Sequence, residues 1–218
     1  MKQLDFDKGT FNSEFESPFI ENNGLLEFKE DFTSPEFFAQ WSFKTQLYGE
    51  PVVVDHCVIT FPDRLSIETY AESFLPLGAQ IVEGPDLFPI EFCNNATTVP
   101  ADLWLHLVTL LMPSGGLLVL GSPHAAGDQL DRFVNQRGLV AVHHVAIRVD
   151  DMNTAVRAWK KKGFEPLSEH PLDYGSLAQW FLQNSAGQII ELINRHIDNN
   201  ATFDCQNIAG LRLSEIAQ

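Results

Sequence analysis

Two stretches of this chain set a histidine early in a run of β-branched residues and close the run with an aspartate. The first is Val54-Asp55-His56-Cys57-Val58-Ile59-Thr60-Phe61-Pro62-Asp63, and the second is Val142-His143-His144-Val145-Ala146-Ile147-Arg148-Val149-Asp150-Asp151. At one offset Val54/Val142, His56/His144, Ile59/Ile147 and Asp63/Asp151 coincide. Side chains alternate across a strand. His56, Val58 and Thr60 therefore share one face of the first run, and His144, Ala146 and Arg148 share one face of the second. Further on, Gln188-Ile189-Ile190-Glu191-Leu192-Ile193 places a carboxylate inside an apolar run. Burying it unpaired costs several kcal/mol, and neutral imidazoles do not neutralise it. One divalent metal held by His56, His144 and Glu191 satisfies all three groups. Two imidazoles and a carboxylate on one side of a metal leave coordination positions for substrate and oxygen.

Other residue types carry weaker signals, each with a plainer structural alternative. Arg148 is placed by alternation on the His144 face, where a guanidinium binds a substrate carboxylate through two N–H groups; the alternative is a solvated arginine at a strand end. His106, in WLHLVTL, and Tyr174 are candidates for an acid or base near the metal. Their alternatives are a hydrogen-bonded core histidine and a loop tyrosine. Gln179 faces the substrate if the register of its strand allows. Parity places His143 at the surface or an interface, and His124, in GSPHAAGD, reads as a turn residue. Gly115-Gly116 reads as a hairpin turn. No GxSxG, Walker or dinucleotide motif occurs.

These residues need elements to hold them. Each histidine run reads as a strand whose closing aspartate caps a helix. After Asp151, the residues Met152, Ala155, Val156 and Trp159 recur at helical spacing, three lysines suit the helix C-terminus, and Gly163 stops it. Three strand candidates follow each helix: 79–83, 104–112 and 117–121 in the first copy, and 164–169, 177–183 and 188–194 in the second. A short helix over 129–137 joins the copies. The fold expected is α+β, two βαβββ modules forming a cupped mixed sheet. The divisions are an aromatic-rich N-terminal arm (1–50), a first module (51–125), a linker helix (126–138), a second module (139–197) and a C-terminal tail (198–218). The first copy is the longer, its surplus falling in 85–102, rich in Pro, Asn and Thr. The arm holds Phe6, Phe11, Phe15, Phe19, Phe28, Phe32, Phe37, Phe38 and Phe43 of 17 phenylalanines in the chain. So many rings are expected to pack on the body or on a second subunit, as in a homodimer.

Composition narrows the partners. The 218 residues carry 29 acidic against 14 basic side chains, a net charge of −15. Such a chain repels phosphate backbones and anionic membrane surfaces, so a small molecule is the expected partner rather than nucleic acid or membrane. No apolar run reaches the ~20 residues of a membrane helix, and the first residues lack a signal-peptide pattern. Cys57, Cys93 and Cys205 form no CxxC pair and no even framework, which fits a reduced, cytoplasmic setting.

The histidine runs, "SLAQWFLQNSAGQIIELINR" and the joining "GDQLDRFVNQRG" resemble the vicinal oxygen chelate superfamily over roughly residues 52–196. That superfamily includes glyoxalase I, methylmalonyl-CoA epimerase, extradiol dioxygenases, 4-hydroxyphenylpyruvate dioxygenase and bleomycin-resistance proteins. The resemblance implies a metal on His56, His144 and Glu191. It also marks a departure: the isomerases take a fourth ligand where this chain has Val119, in GGLLVLGSP. The three-ligand set resembles the iron dioxygenases and favours Fe(II), with Mn(II), Zn(II), Ni(II) or Co(II) as alternatives. Three functions follow: a dioxygenase acting on a small oxygen-chelating substrate, a metal-dependent lyase, isomerase or epimerase, and a metal-free small-molecule binding protein.

Overall fold

The computed structural model describes residues 17–29, 33–93, 99–138, 140–196, 203 and 205–216. The chain enters through a hairpin of β1 (Phe19–Asn22) and β2 (Leu25–Phe28), then the short helix α1 (Pro35–Gln40) and strand β3 (Lys44–Leu47). The first module follows. β4 (Glu50–Thr60) carries His56 and pairs with β3. Asp63 caps α2 (Arg64–Phe74) by accepting a hydrogen bond from the Ser66 N–H. Then come β5 (Gln80–Phe88), β6 (Leu105–Leu111) and β7 (Leu117–Pro123).

Helix α3 (Gln129–Arg137) begins at the Asp128 cap, ends at Gly138 and leads to the second module. There β8 (Ala141–Arg148) is followed by α4 (Met152–Lys160), whose cap Asp151 accepts from the Thr154 N–H. Of the strand expected at 164–169 only β9 (Phe164–Pro166) forms; a short β10 (Leu172–Asp173) follows, ahead of β11 (Leu177–Asn184) and β12 (Ile189–Arg195). Residues expected as a simple tail form helix α5 (Cys205–Ser214).

The strands form one mixed sheet in the order β10-β11-β12-β8-β4-β7-β6-β5, so each module contributes a half and the two first strands meet in the middle. The architecture is the α+β pair of βαβββ modules that the repeat implies. Residues of one strand parity, including Cys57, Ile59, Val145 and Ile147, join the helices in the main hydrophobic core. The opposite parity lines the concave side.

The aromatic segment packs onto this body. Phe19, Phe38, Trp41 and Phe43 are buried in the same core. Phe6, Phe11, Phe15 and Phe32 lie outside the described residues. The turn at Gly115-Gly116 serves this packing: Gly115 supplies φ +90°, and a Cβ on Gly116 would stand 2.2 Å from the Phe43 ring. Only glycine admits that approach. No helix among the described residues is long and apolar enough to cross a membrane.

Candidate metal centre

The central strand pair explains how the histidines come together. β4 and β8 run antiparallel with Val54 opposite Ile147 and His56 opposite Ala146, then Val58 opposite His144 and Ile59 opposite Val142. Asp55 is thus an extra residue in β4, and His143 an extra residue in β8. Each module carries a β-bulge at the residue just before its histidine. A bulge breaks strict alternation and re-aims side chains. Val54 and Val142 stay in the core, while His56, His143 and His144 all line the concave side. The surface or interface position expected for His143 is therefore corrected: it is 6% exposed, inside the cup.

Ligating atoms of His56, His144 and Glu191 lie within 4.8 Å of one another, and all three residues are buried. His56 Nε2 is 3.1 Å from Glu191 Oε2. His144 Nε2 is 3.4 Å from the same oxygen, with no closer partner among the described residues. Burial opposes charge on His56, but the Glu191 and Asp55 carboxylates outweigh it and raise its pKa to about 9. Burial pushes His144 down to about 4, aided by His143. Glu191 is held down at about 2, because His56 and His144 outweigh its desolvation. A carboxylate and two imidazole nitrogens converging on one buried point fit a divalent metal.

Outer partners orient both imidazoles. His56 Nδ1 is 3.0 Å from Asp55 Oδ1, which directs Nε2 toward Glu191. Asp55 is fully buried and takes both Arg195 Nε and Nη2 at 2.8 Å, with Arg148 Nε at 2.8 Å. Burial alone would push its carboxyl up, but Arg195 and His56 hold it well below the usual carboxylate range. In the second module the bulge residue plays the same part: His143 Nδ1 lies 2.9 Å from His144 Nδ1, and His143 Nε2 lies 3.0 Å from Glu215 Oε1.

The other candidates fall in different places. Arg148 turns to Asp55 and is not in the cavity wall. Gln179 lines the cavity, yet its Nε2 donates to the Asn207 carbonyl at 2.9 Å and so holds α5 to β11. Leu105, Leu107 and Thr109 face the cavity, which puts His106 on the other side of β6, where its ring neighbours His124 at 5.9 Å. Tyr174 packs beside Ala146, Leu177 and Ile193, outside the cavity lining. Val119 does line the cavity, and register gives it meaning. It pairs with Val58, two residues past His56, as Glu191 pairs with Ala146, two residues past His144. Valine thus occupies the first-module counterpart of Glu191.

The lid over the cup was not foreseen. Asn207, Ile208, Leu211 and Arg212 of α5 line the cavity, and Phe203 sets its ring 4.8 Å from that of His56. A disulfide between Cys93 and Cys205 ties the start of α5 to the first module. The disulfide departs from the reduced setting read from the cysteine pattern, and Cys57, buried in the core, is left free. The weak sequence signal for this helix is Ile208 and Leu211 at helical spacing. The cross-link, between residues 112 apart, has no local signature.

No protein-family model and no curated protein matches the chain. Solved structures do. Methylmalonyl-CoA epimerase from Mycobacterium tuberculosis is 21% identical over 69% of this chain and 93% of its own, with a TM-score of 0.47. A variant of 4-hydroxymandelate synthase from Streptomyces coelicolor is 18% identical over 74% of this chain and 52% of its own, with a TM-score of 0.53. The fold is shared with 4-hydroxymandelate synthase.

Proposed function

We propose that this chain, built on the paired-module fold of the vicinal oxygen chelate superfamily, is a metal-dependent enzyme. His56, His144 and Glu191 hold the metal, with Fe(II) favoured and Mn(II), Zn(II), Ni(II) or Co(II) as alternatives. The observation that carries this reading is the convergence of three buried ligating groups within 4.8 Å. When bound, the metal supplies Lewis-acid charge and, as Fe(II), a site for dioxygen.

The residues around it favour a dioxygenase acting on a small oxygen-chelating molecule. Val119 gives no fourth ligand, so coordination positions stay open. The proton-transfer work of an epimerase or isomerase needs a base in the cup. Of the candidate bases, His106 and Tyr174 stand outside the cavity lining, Glu191 is taken up by the metal in this reading, and His143 is packed against His144 and Glu215. The chain's own contribution is orientation and exclusion. Asp55 and His143 fix the ligating imidazoles, while Phe203, Ile208 and Leu211 close the cup to water. The Cys93–Cys205 bond removes the support that unpaired thiols lent to a cytoplasmic setting, since such bonds persist in oxidising compartments.

The test needs no substrate. Nitric oxide binds ferrous centres where dioxygen would. Protein loaded anaerobically with Fe(II) should give the EPR signal of a ferrous nitrosyl. Iron that is bound stoichiometrically yet gives no such signal contradicts the dioxygenase reading.

A further inference from the structure

Arg212 is the one cavity-lining side chain with a permanent positive charge among the described residues, and it is 2% exposed. Its guanidinium is held on two sides. Nε donates to the Leu103 carbonyl at 3.1 Å, and Nη1 donates to Glu215 Oε2 at 2.6 Å. Nη2 is buried and has no hydrogen-bond partner among the described residues. A charged donor left unpaired in an apolar wall is costly, and two fixed edges leave it little freedom to turn elsewhere.

We propose that Arg212 Nη2 is the anchor for the carboxylate of a short, otherwise apolar acid bound in the cup. The inference rests on reading this cavity as the substrate site. Charge supports an anion. With both imidazoles neutral, a divalent ion and Arg212 outweigh Glu191 and Glu215 by one positive charge, which a monocarboxylate cancels. The apolar part of the wall, Val58, Leu105, Leu107, Val119, Phe181 and Leu211, suits a hydrocarbon body, with Thr60, Thr109, Gln179 and Asn207 between. The cavity measures about 70 Å³. At roughly 10–15 Å³ per water-sized group, it takes about five to seven non-hydrogen atoms. Donation to a carboxylate also fits the preference of guanidinium for planar anions.

Calorimetric titration with butanoate, and with butanamide as its uncharged counterpart, tests this on the full chain, both zinc-loaded and metal-free. Butanoate should bind and butanamide should bind at least about tenfold more weakly, the scale of a lost charge-assisted hydrogen bond. Arg212→Gln should weaken butanoate at least about tenfold while leaving zinc stoichiometry unchanged. Glu215→Gln, which removes the competing carboxylate, should tighten butanoate severalfold. Equal binding of acid and amide by the wild type, or no butanoate binding in either form, overturns the proposal. So does unweakened butanoate binding by a folded Arg212→Gln protein. Failure of zinc to bind would count against the metal reading alone, because the metal-free arm still decides the role of Arg212.

Discussion

At the scale of single residues, the proposed centre is built from pairs in which one histidine would ligate and the residue just before it orients the ring. Asp55→Asn keeps the shape of the side chain but removes the charge that faces His56, Arg148 and Arg195. Metal affinity should fall about 10–100-fold, as it does when outer partners of ligating histidines are lost; an unchanged dissociation constant would show that Asp55 is only structural. Val119→Glu should act oppositely. A carboxylate at the register counterpart of Glu191 should tighten metal binding and abolish the nitrosyl signal, whereas tighter metal with the signal retained would contradict the open-site argument. Glu215 governs acid stability. Burial raises its pKa, but Arg212 and His143 outweigh burial and lower it from 4.5 to about 2. Because the folded value is the depressed one, the stabilisation is fully present above pH 4.5 and is lost as pH falls through 2. It is on the order of 3 kcal/mol. Urea titrations of Glu215→Gln should show that loss at neutral pH and a flatter acid limb; parallel pH profiles would refute it. That His56, His144 and Glu191 converge was legible because residue type, repeat offset and a carboxylate in an apolar strand agreed. His143 was not, since alternation assumes an unbroken strand and the bulge adds a residue. Arg148 was misplaced for a related reason: its partner Asp55 is itself a bulge residue.

Among the elements, α5 is the one that turns an open sheet into a closed cup. It presents Ile208 and Leu211 to the cavity and packs Ala209 beside Phe88, Val99, Leu103 and Leu107. Its tether closes a loop of more than a hundred residues, and such a cross-link stabilises by about 2–5 kcal/mol. Cys205→Ser should lower stability by that amount and increase the rate at which external chelators strip a bound metal. A thiol titration of the unreduced, denatured chain should find one free thiol, Cys57; three would show that the bond does not form. The paired βαβββ units were legible because an aspartate cap opened each helix and a glycine followed it, with a lysine run also closing α4. The lid was not, because the apolar residues of α5, among them Ile208, Ala209, Leu211 and Leu213, are not gathered on one side of the helix and its position comes from contacts that no local pattern records.

For the whole molecule, the aromatic entry segment is part of the core rather than an appendage. Phe38, Trp41 and Phe43 sit against Phe74 and the Gly116 turn. Deleting residues 1–45 should expose this surface at about 25 cal/mol per Å² and give aggregated protein, while a soluble truncated chain with an unchanged melting temperature would make the segment dispensable. The nine rings announced burial from sequence alone, but not what they would cover; Phe19, Phe38 and Phe43 are buried in the core of their own body. The central claim is that this architecture exists to hold a metal on His56, His144 and Glu191. Its most direct test is the metal content of the full chain after incubation with Fe(II), Mn(II) or Zn(II) and removal of unbound ion, measured beside His144→Ala. The wild type should retain close to one equivalent of at least one metal, and the variant, still folded by circular dichroism, should retain almost none. A wild type that holds no metal, or a variant that holds as much, would contradict the account.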